Sequence, residues 1–236
     1  GMRTLLSFFT RIPVGGSEEH PGKLYLLIIV AAIISLFPVA IFLLTYRFLP
    51  RTLVSILSII SIYGVTGLIH VDGLSDFSDG IMKKGTREEK VKAMKDVNTG
   101  IAGIFSVVLV LLGEFYAIST IRISLFSILS FFLVSEISAK FSMLVGLTVF
   151  KAPDAGLAHD FKLGTKKYDA PIFLLISLPI IMISWKIWLD VFAGGVISII
   201  IGLISLKNFS YVSGDSLGAM NEISRVVTMW LMCLGL

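Results

Sequence analysis

This sequence predicts an all-α, polytopic membrane bundle, and three observations carry the prediction. Hydrophobic side chains make up 56% of the 236 residues, only 15% are charged, and the mean hydropathy is +0.92, a balance outside the range of soluble globular domains. The apolar residues run in long blocks without the period-two alternation of a barrel strand, so each block must satisfy its own backbone hydrogen bonds as a helix. The charges gather between the blocks, and no repeat, low-complexity tract or flexible linker interrupts them. A single membrane-embedded domain over 1–236 follows.

Taken in order, Gly1 ahead of Met2 reads as a remnant of tag removal, and the charged, turn-rich stretch after it lacks the pattern of a signal peptide. Gly15, Gly16, Pro21 and Gly22 mark a turn. The first apolar block, 24–46, lies between Lys23 and Arg47 and exceeds the roughly 20 helical residues needed to cross a hydrocarbon core. Further spans are expected at 52–69, 99–121, 123–150, 170–188, 190–206 and 217–236, about seven in all. Pro153, Gly156 and Gly164 mark a loop. With the N-terminus inside, most of the 20 Lys and Arg residues fall in cytoplasmic segments, leaving Arg47, Arg51, Arg122 and Lys186 on the far side. The positive-inside rule thus selects a multi-pass protein of the cell membrane with a cytoplasmic N-terminus. The net charge of +4 suits phosphate-rich substrates and anionic lipid head groups, and no nucleic acid is implied. The single Cys233 excludes an internal disulfide or a thiolate metal cage.

The chemistry concentrates directly after the second block. His70, Val71, Asp72, Gly73, Leu74, Ser75, Asp76, Phe77, Ser78, Asp79, Gly80 places three carboxylates at i, i+4 and i+7, which a helix stacks on one face. Solvated acids at a helix end are the plain alternative, but like charges so placed repel, and oxygen ligands of this kind suit magnesium, which completes its shell with water and substrate phosphates. Asp96 is a fourth candidate ligand. Between them runs a basic stretch, Lys83, Lys84, Arg87, Lys90, Lys92 and Lys95, with Glu88 and Glu89 interleaved as helix pairs. His70 reads either as a general base or as a cap on the preceding span. Inside the apolar blocks, Glu136 with Lys140 and Glu222 with Arg225 stand at i,i+4 and i,i+3, each pair neutralising itself, while Glu114 has no local partner.

These blocks resemble a known family. His70 to Gly80, followed by Met94, Lys95, Asp96 and then Thr99, Gly100, is similar to the central block of the cobalamin synthases, the adenosylcobinamide-GDP ribazoletransferases. Phe9, Thr10, Arg11, Ile12, Pro13, Val14 resembles that family's N-terminal motif, and Gly214, Asp215, Ser216, Leu217, Gly218, Ala219 with Glu222 its C-terminal one. The resemblance implies a magnesium-dependent integral membrane transferase that joins adenosylcobinamide-GDP to α-ribazole, or its 5′-phosphate, with release of GMP. Asp72, Asp76, Asp79 and Asp96 are then the expected Mg²⁺ ligands. Asp76, Asp79 or His70 would take the proton. Arg11, Lys95, Ser213, Gly214 and Asp215 are expected at the substrate phosphates, the last three at a helix N-terminus. Lys140 and Lys151 stand where the family pattern has arginines, and lysine offers only a point charge there. Membrane lipid is an expected partner, and a homo-oligomer is compatible with this reading.

Two other readings compete. Asp76, Phe77, Ser78, Asp79, Gly80 fits the opening of the CDP-alcohol phosphotransferase motif D-x-x-D-G-x-x-A-R, but Lys83 and Lys84 occupy the A-R places and the continuation is missing. A cation-coupled transporter would use Glu114, Glu136, Asp72 and Asp76, and it predicts duplicated broken helices and acids at the midplane; the aspartates crowd instead at one boundary.

Overall fold

The computed structural model describes residues 1–15, 20–180 and 184–235, so Gly16 of the first expected turn lies outside the described residues. Among these residues the chain is helical throughout. In order the helices are α1 (Met2–Phe9), α2 (Leu27–Thr45, entered through a short 3-10 turn), α3 (Arg51–Thr66), α4 (Ile69–Met82), α5 (Arg87–Met94), α6 (Ile101–Thr120), α7 (Leu125–Val149), α8 (Leu157–Gly164), α9 (Asp169–Ser177), α10 (Trp185–Phe209) and α11 (Gly214–Cys233).

Four of them, α2, α6, α7 and α10, are long and apolar enough to cross a membrane, and α3 with α4 makes a fifth candidate if a pair bent by 94° counts as one span. The expectation of about seven spans is not met on this measure. Within the block 170–188 the structure describes α9 and the start of α10 at Trp185, with 181–183 outside the described residues, and α10 covers the end of this block and the whole of the next. The last block is a helix of 20 residues, α11, but Asp215, Glu222 and Arg225 make it polar where it is buried.

The bend between α3 and α4 has a local cause. Gly67 ends α3 with a φ of +71°, a backbone region costly for a side chain bearing Cβ, and the chain leaves in a new direction within two residues. The first motif braces this corner. Arg11 N donates to the Val65 carbonyl at 2.7 Å, and Thr10 closes the end of α1, its hydroxyl donating to the Leu6 carbonyl and accepting from Ile12 N.

The bundle is organised around α11, which packs on α4, α6, α7 and α10. At its centre lies a charge network. Arg225, fully buried, donates through Nε to Glu136 at 2.6 Å and through Nη1 to Glu222 at 2.9 Å and Glu114 at 3.3 Å. The Tyr63 hydroxyl is hydrogen-bonded to Glu222 at 2.7 Å and Glu114 at 3.1 Å. Lys140, also fully buried, donates to Asn221 at 2.6 Å, and Asn221 donates on to Glu222 at 2.9 Å. Both local pairs are present, but the shortest contact of Glu136 is to Arg225, its separation from Lys140 being 3.8 Å. Glu114 finds its partner on another helix. Unpaired charges at this depth would cost several kcal/mol each, so the network locks α3, α6, α7 and α11 in one register. Lys140 is therefore committed to the bundle interior.

Candidate active site

The carboxylate face of α4 sits where α4 crosses α11. Gly73 and Gly218 make the crossing: a Cβ on Gly73 would stand 3.1 Å from the Asp215 Cα, and one on Gly218 would stand 2.8 Å from the His70 carbonyl. Only hydrogen fits between the backbones. This close approach brings the central motif against the C-terminal one, although more than a hundred residues separate them.

Asp72, Asp76 and Asp79 lie on one helix, as their spacing predicts, but they face different surroundings. Asp76 is the hub, close enough to Asp72, Asp215 and Asp79 for each to act on it electrostatically. Asp72 and Asp215 share the rim of a cavity of about 220 Å³ that also exposes His70 and Gly214. Asp79 turns the other way. Its Oδ2 accepts from Gly100 N at 2.6 Å and its Oδ1 from Gly103 N at 2.8 Å, capping the N-terminus of α6 from a neighbouring helix. Such a carboxylate satisfies orphan amides and complements the helix dipole, a role that a sequence reading of Asp79 as a ligand does not anticipate.

Asp96 is fully exposed, and its Oδ1 accepts from the backbone N of Asn98 at 2.9 Å and from the Asn98 side chain at 3.2 Å. These two donors hold its carboxyl below the usual carboxylate range, the backbone N–H contributing most. Asp96 shares an open groove with Asp79, Lys83 and Gly100, so the expected four-ligand set is divided between the groove and the cavity rim. Among the described residues, no three His, Cys, Asp or Glu side chains converge as a metal cage. The donors nonetheless fit magnesium: they are all oxygens, none of the four aspartates Asp72, Asp76, Asp79 and Asp215 has a salt-bridge partner within 4.0 Å among the described residues, and this ion takes few carboxylates when substrate oxygens complete its shell.

The phosphate-binding candidates fall around the same end of the bundle. Ser213 is the N-cap of α11, accepting from Ser216 N in a reciprocal capping box, so the cap is Ser213, and Asp215, whose Oδ2 accepts from the Ser213 hydroxyl at 3.4 Å, lies at the rim. Gly214 has open space where a side chain would be. Lys95, at the end of α5, lies within electrostatic reach of Asp215. Arg11 lies over the corner at Gly67, where a Cβ would meet its guanidinium. In the basic stretch, Glu89 is engaged with the N-cap, accepting from Thr86 N at 2.7 Å, and Lys90 donates to Asn208. Lys151 acts through its backbone, its carbonyl accepting from Val212 N.

His70 does not stand in solvent. It is buried at 4% exposure, and its Nε2 has no hydrogen-bond partner. Sequence reasoning missed what surrounds it, the aromatic rings of Phe8, Phe9 and Phe161, because nothing in their spacing shows that α1 and α8 meet α4.

A family model described as "Cobalamin-5-phosphate synthase" matches residues 1–233. The chain belongs to this cobalamin-5-phosphate synthase family. A protein of Pyrococcus abyssi named adenosylcobinamide-GDP ribazoletransferase is 39% identical over 100% of this chain and 98% of its own length. Relatives with the same name from Thermococcus kodakarensis and Methanococcoides burtonii are 37% and 31% identical, over 99% and 100% of this chain and 98% and 92% of their own. No solved structure matches. The family's match covers α1, α4 and α11 alike, the three helices whose motifs the fold brings to one end of the bundle.

Proposed function

We propose that this protein is a membrane transferase that joins adenosylcobinamide-GDP and α-ribazole, or α-ribazole 5′-phosphate, and releases GMP, in the final stage of cobalamin synthesis. Membership of the family supports the reaction. The observation that supports the placement of the site is the gathering of Asp72, Asp76 and Asp215 at the Gly73–Gly218 crossing with no ion-pair partner within 4.0 Å among the described residues, Lys95 acting on Asp215 only from farther off.

Phosphoryl transfer needs little from a protein beyond positioning and charge neutralisation. Magnesium, held by Asp72, Asp76 and Asp215, would supply charge compensation for the diphosphate. A free ribose hydroxyl of α-ribazole, not the 5′ oxygen that carries phosphate in the alternative acceptor, attacks the phosphorus on the corrinoid side of that diphosphate. A phosphorus–oxygen bond forms to the ribazole as the bond to the bridging oxygen breaks, and that oxygen leaves with GMP. Asp76, at the centre of the acidic group, accepts the hydroxyl proton. Lys95 and Arg11, at the same end of the bundle, offset negative charge on the departing nucleotide. Asp79 shapes the site by fixing the start of α6. The charge bias of the loops supports a cytoplasmic position for this end in a cell-membrane protein.

The test is product formation by purified protein in liposomes given both substrates, with and without magnesium. Magnesium-dependent appearance of a cobalamin and GMP is the expected result. Absence of product where a known family member works would refute the reading.

A further inference from the structure

The cavity beside the acidic group has a composition that the phosphate chemistry does not explain. Its volume is about 220 Å³, and behind the rim formed by Asp72, Gly214 and Asp215 its walls are hydrocarbon. Phe8, Phe9 and Phe161 contribute an aromatic cluster, with the Phe8 and Phe161 ring centroids 4.8 Å apart and Phe9 and Phe161 5.6 Å apart. Leu147 and Ala158 line it as well. The one uncharged polar side chain is His70, whose ring lies 5.7 Å from Phe9 and whose buried Nε2 has no partner. A polar nitrogen buried without a partner costs about 1–3 kcal/mol; Nε2 is closed to solvent here, and a small turn of the ring, which lines the cavity, would bring it to a group entering there.

We infer that this cavity, with His70 at its wall, receives the benzimidazole base of α-ribazole. This rests on the transferase reading and adds to it the place and the basis of acceptor selection. Three moieties approach the diphosphate, and chemistry separates them. The corrin ring is far too large for the space. Guanine carries donors and acceptors along its whole edge, and the apolar walls would leave most of them unsatisfied. Dimethylbenzimidazole is a flat hydrocarbon bicycle with one free ring nitrogen. Its faces suit Phe8, Phe9 and Phe161, and its single acceptor matches the single unpartnered His70 nitrogen acting as donor. With the base inside, the ribose lies at the rim past Gly214, where the missing side chain leaves room, and its free ring hydroxyls emerge beside Asp72 and Asp215.

Calorimetric binding to the full-length protein in nanodiscs tests this without turnover. The probes are α-ribazole and its indole counterpart, in which the free ring nitrogen is replaced by CH. Wild-type protein is expected to bind α-ribazole about tenfold more tightly than the indole riboside, the equivalent of one hydrogen bond. His70→Phe should erase that difference while leaving the indole affinity in place, and His70→Gln, which keeps a donor, should restore most of it. Ala158→Trp, filling the cavity, should abolish binding of both ribosides with the Kd for adenosylcobinamide-GDP unchanged. Equal affinity of wild-type protein for the two ribosides, or an Ala158→Trp variant that binds α-ribazole normally and loses the corrinoid substrate, overturns the assignment. Selective binding with no joining reaction would remove the transferase reading and leave the base pocket standing; joining with no response to the probes would do the reverse.

Discussion

Two clusters of like-charged groups lie in this bundle, and they are resolved in opposite ways. At the centre, Glu114, Glu136 and Glu222 are gathered by Arg225 and Lys140, so the protein itself supplies the counter-charge. At the α4–α11 crossing, Asp72, Asp76 and Asp215 are gathered by two glycines and have no cation within 4.0 Å among the described residues. The first arrangement holds helices together. The second has no ion-pair partner from the protein within 4.0 Å among the described residues, and the proposed metal–diphosphate substrate would supply that charge. Burial alone does not make an acid structural or functional; what counts is whether the protein completes its neutralisation.

If this contrast is right, the two clusters respond to mutation through different observables. The largest effect is expected from Arg225→Ala, which strands three buried carboxylates and should lower stability by about 3–5 kcal/mol, read as loss of folded protein in a detergent melt; unchanged melting would break the comparison on its structural side. Asp76→Asn should cut the rate of GMP release by roughly a hundredfold or more, with the melting temperature held near wild type. A matching loss of stability would return Asp76 to the structural class. Asp79→Asn lies between the two: it keeps one acceptor but loses the charge on the α6 N-terminus, so a stability loss of about 1 kcal/mol is expected with partial retention of activity. The smallest effect belongs to Lys186→Gln on the opposite face, within about 0.5 kcal/mol of wild type and with unaltered turnover.

Much of the site is legible along the chain. The i, i+4, i+7 spacing of Asp72, Asp76 and Asp79 puts them on one helix because helical periodicity is a local property, and α4 has that form. Local pairing rules likewise find Glu222 with Arg225 and Glu136 with Lys140. They miss Glu114, whose partner is 111 residues away, and they assign Asp79 wholly to ligand chemistry because the amides of Gly100 and Gly103 come from another helix. The span expected at 170–188 is not confirmed: α9 ends at Ser177, α10 begins at Trp185, and 181–183 lie outside the described residues.

The sequence by itself determined the class of molecule, a helical membrane bundle, and the family, and it offered the candidate site residues, since composition, periodicity and motif order are written in one dimension. Tertiary structure decided which acids are neutralised from within and which are left open, and it brought Phe8, Phe161 and His70 around one cavity. Both outcomes depend on which helices cross and how closely, and two glycines that admit backbone contact set that distance at the site.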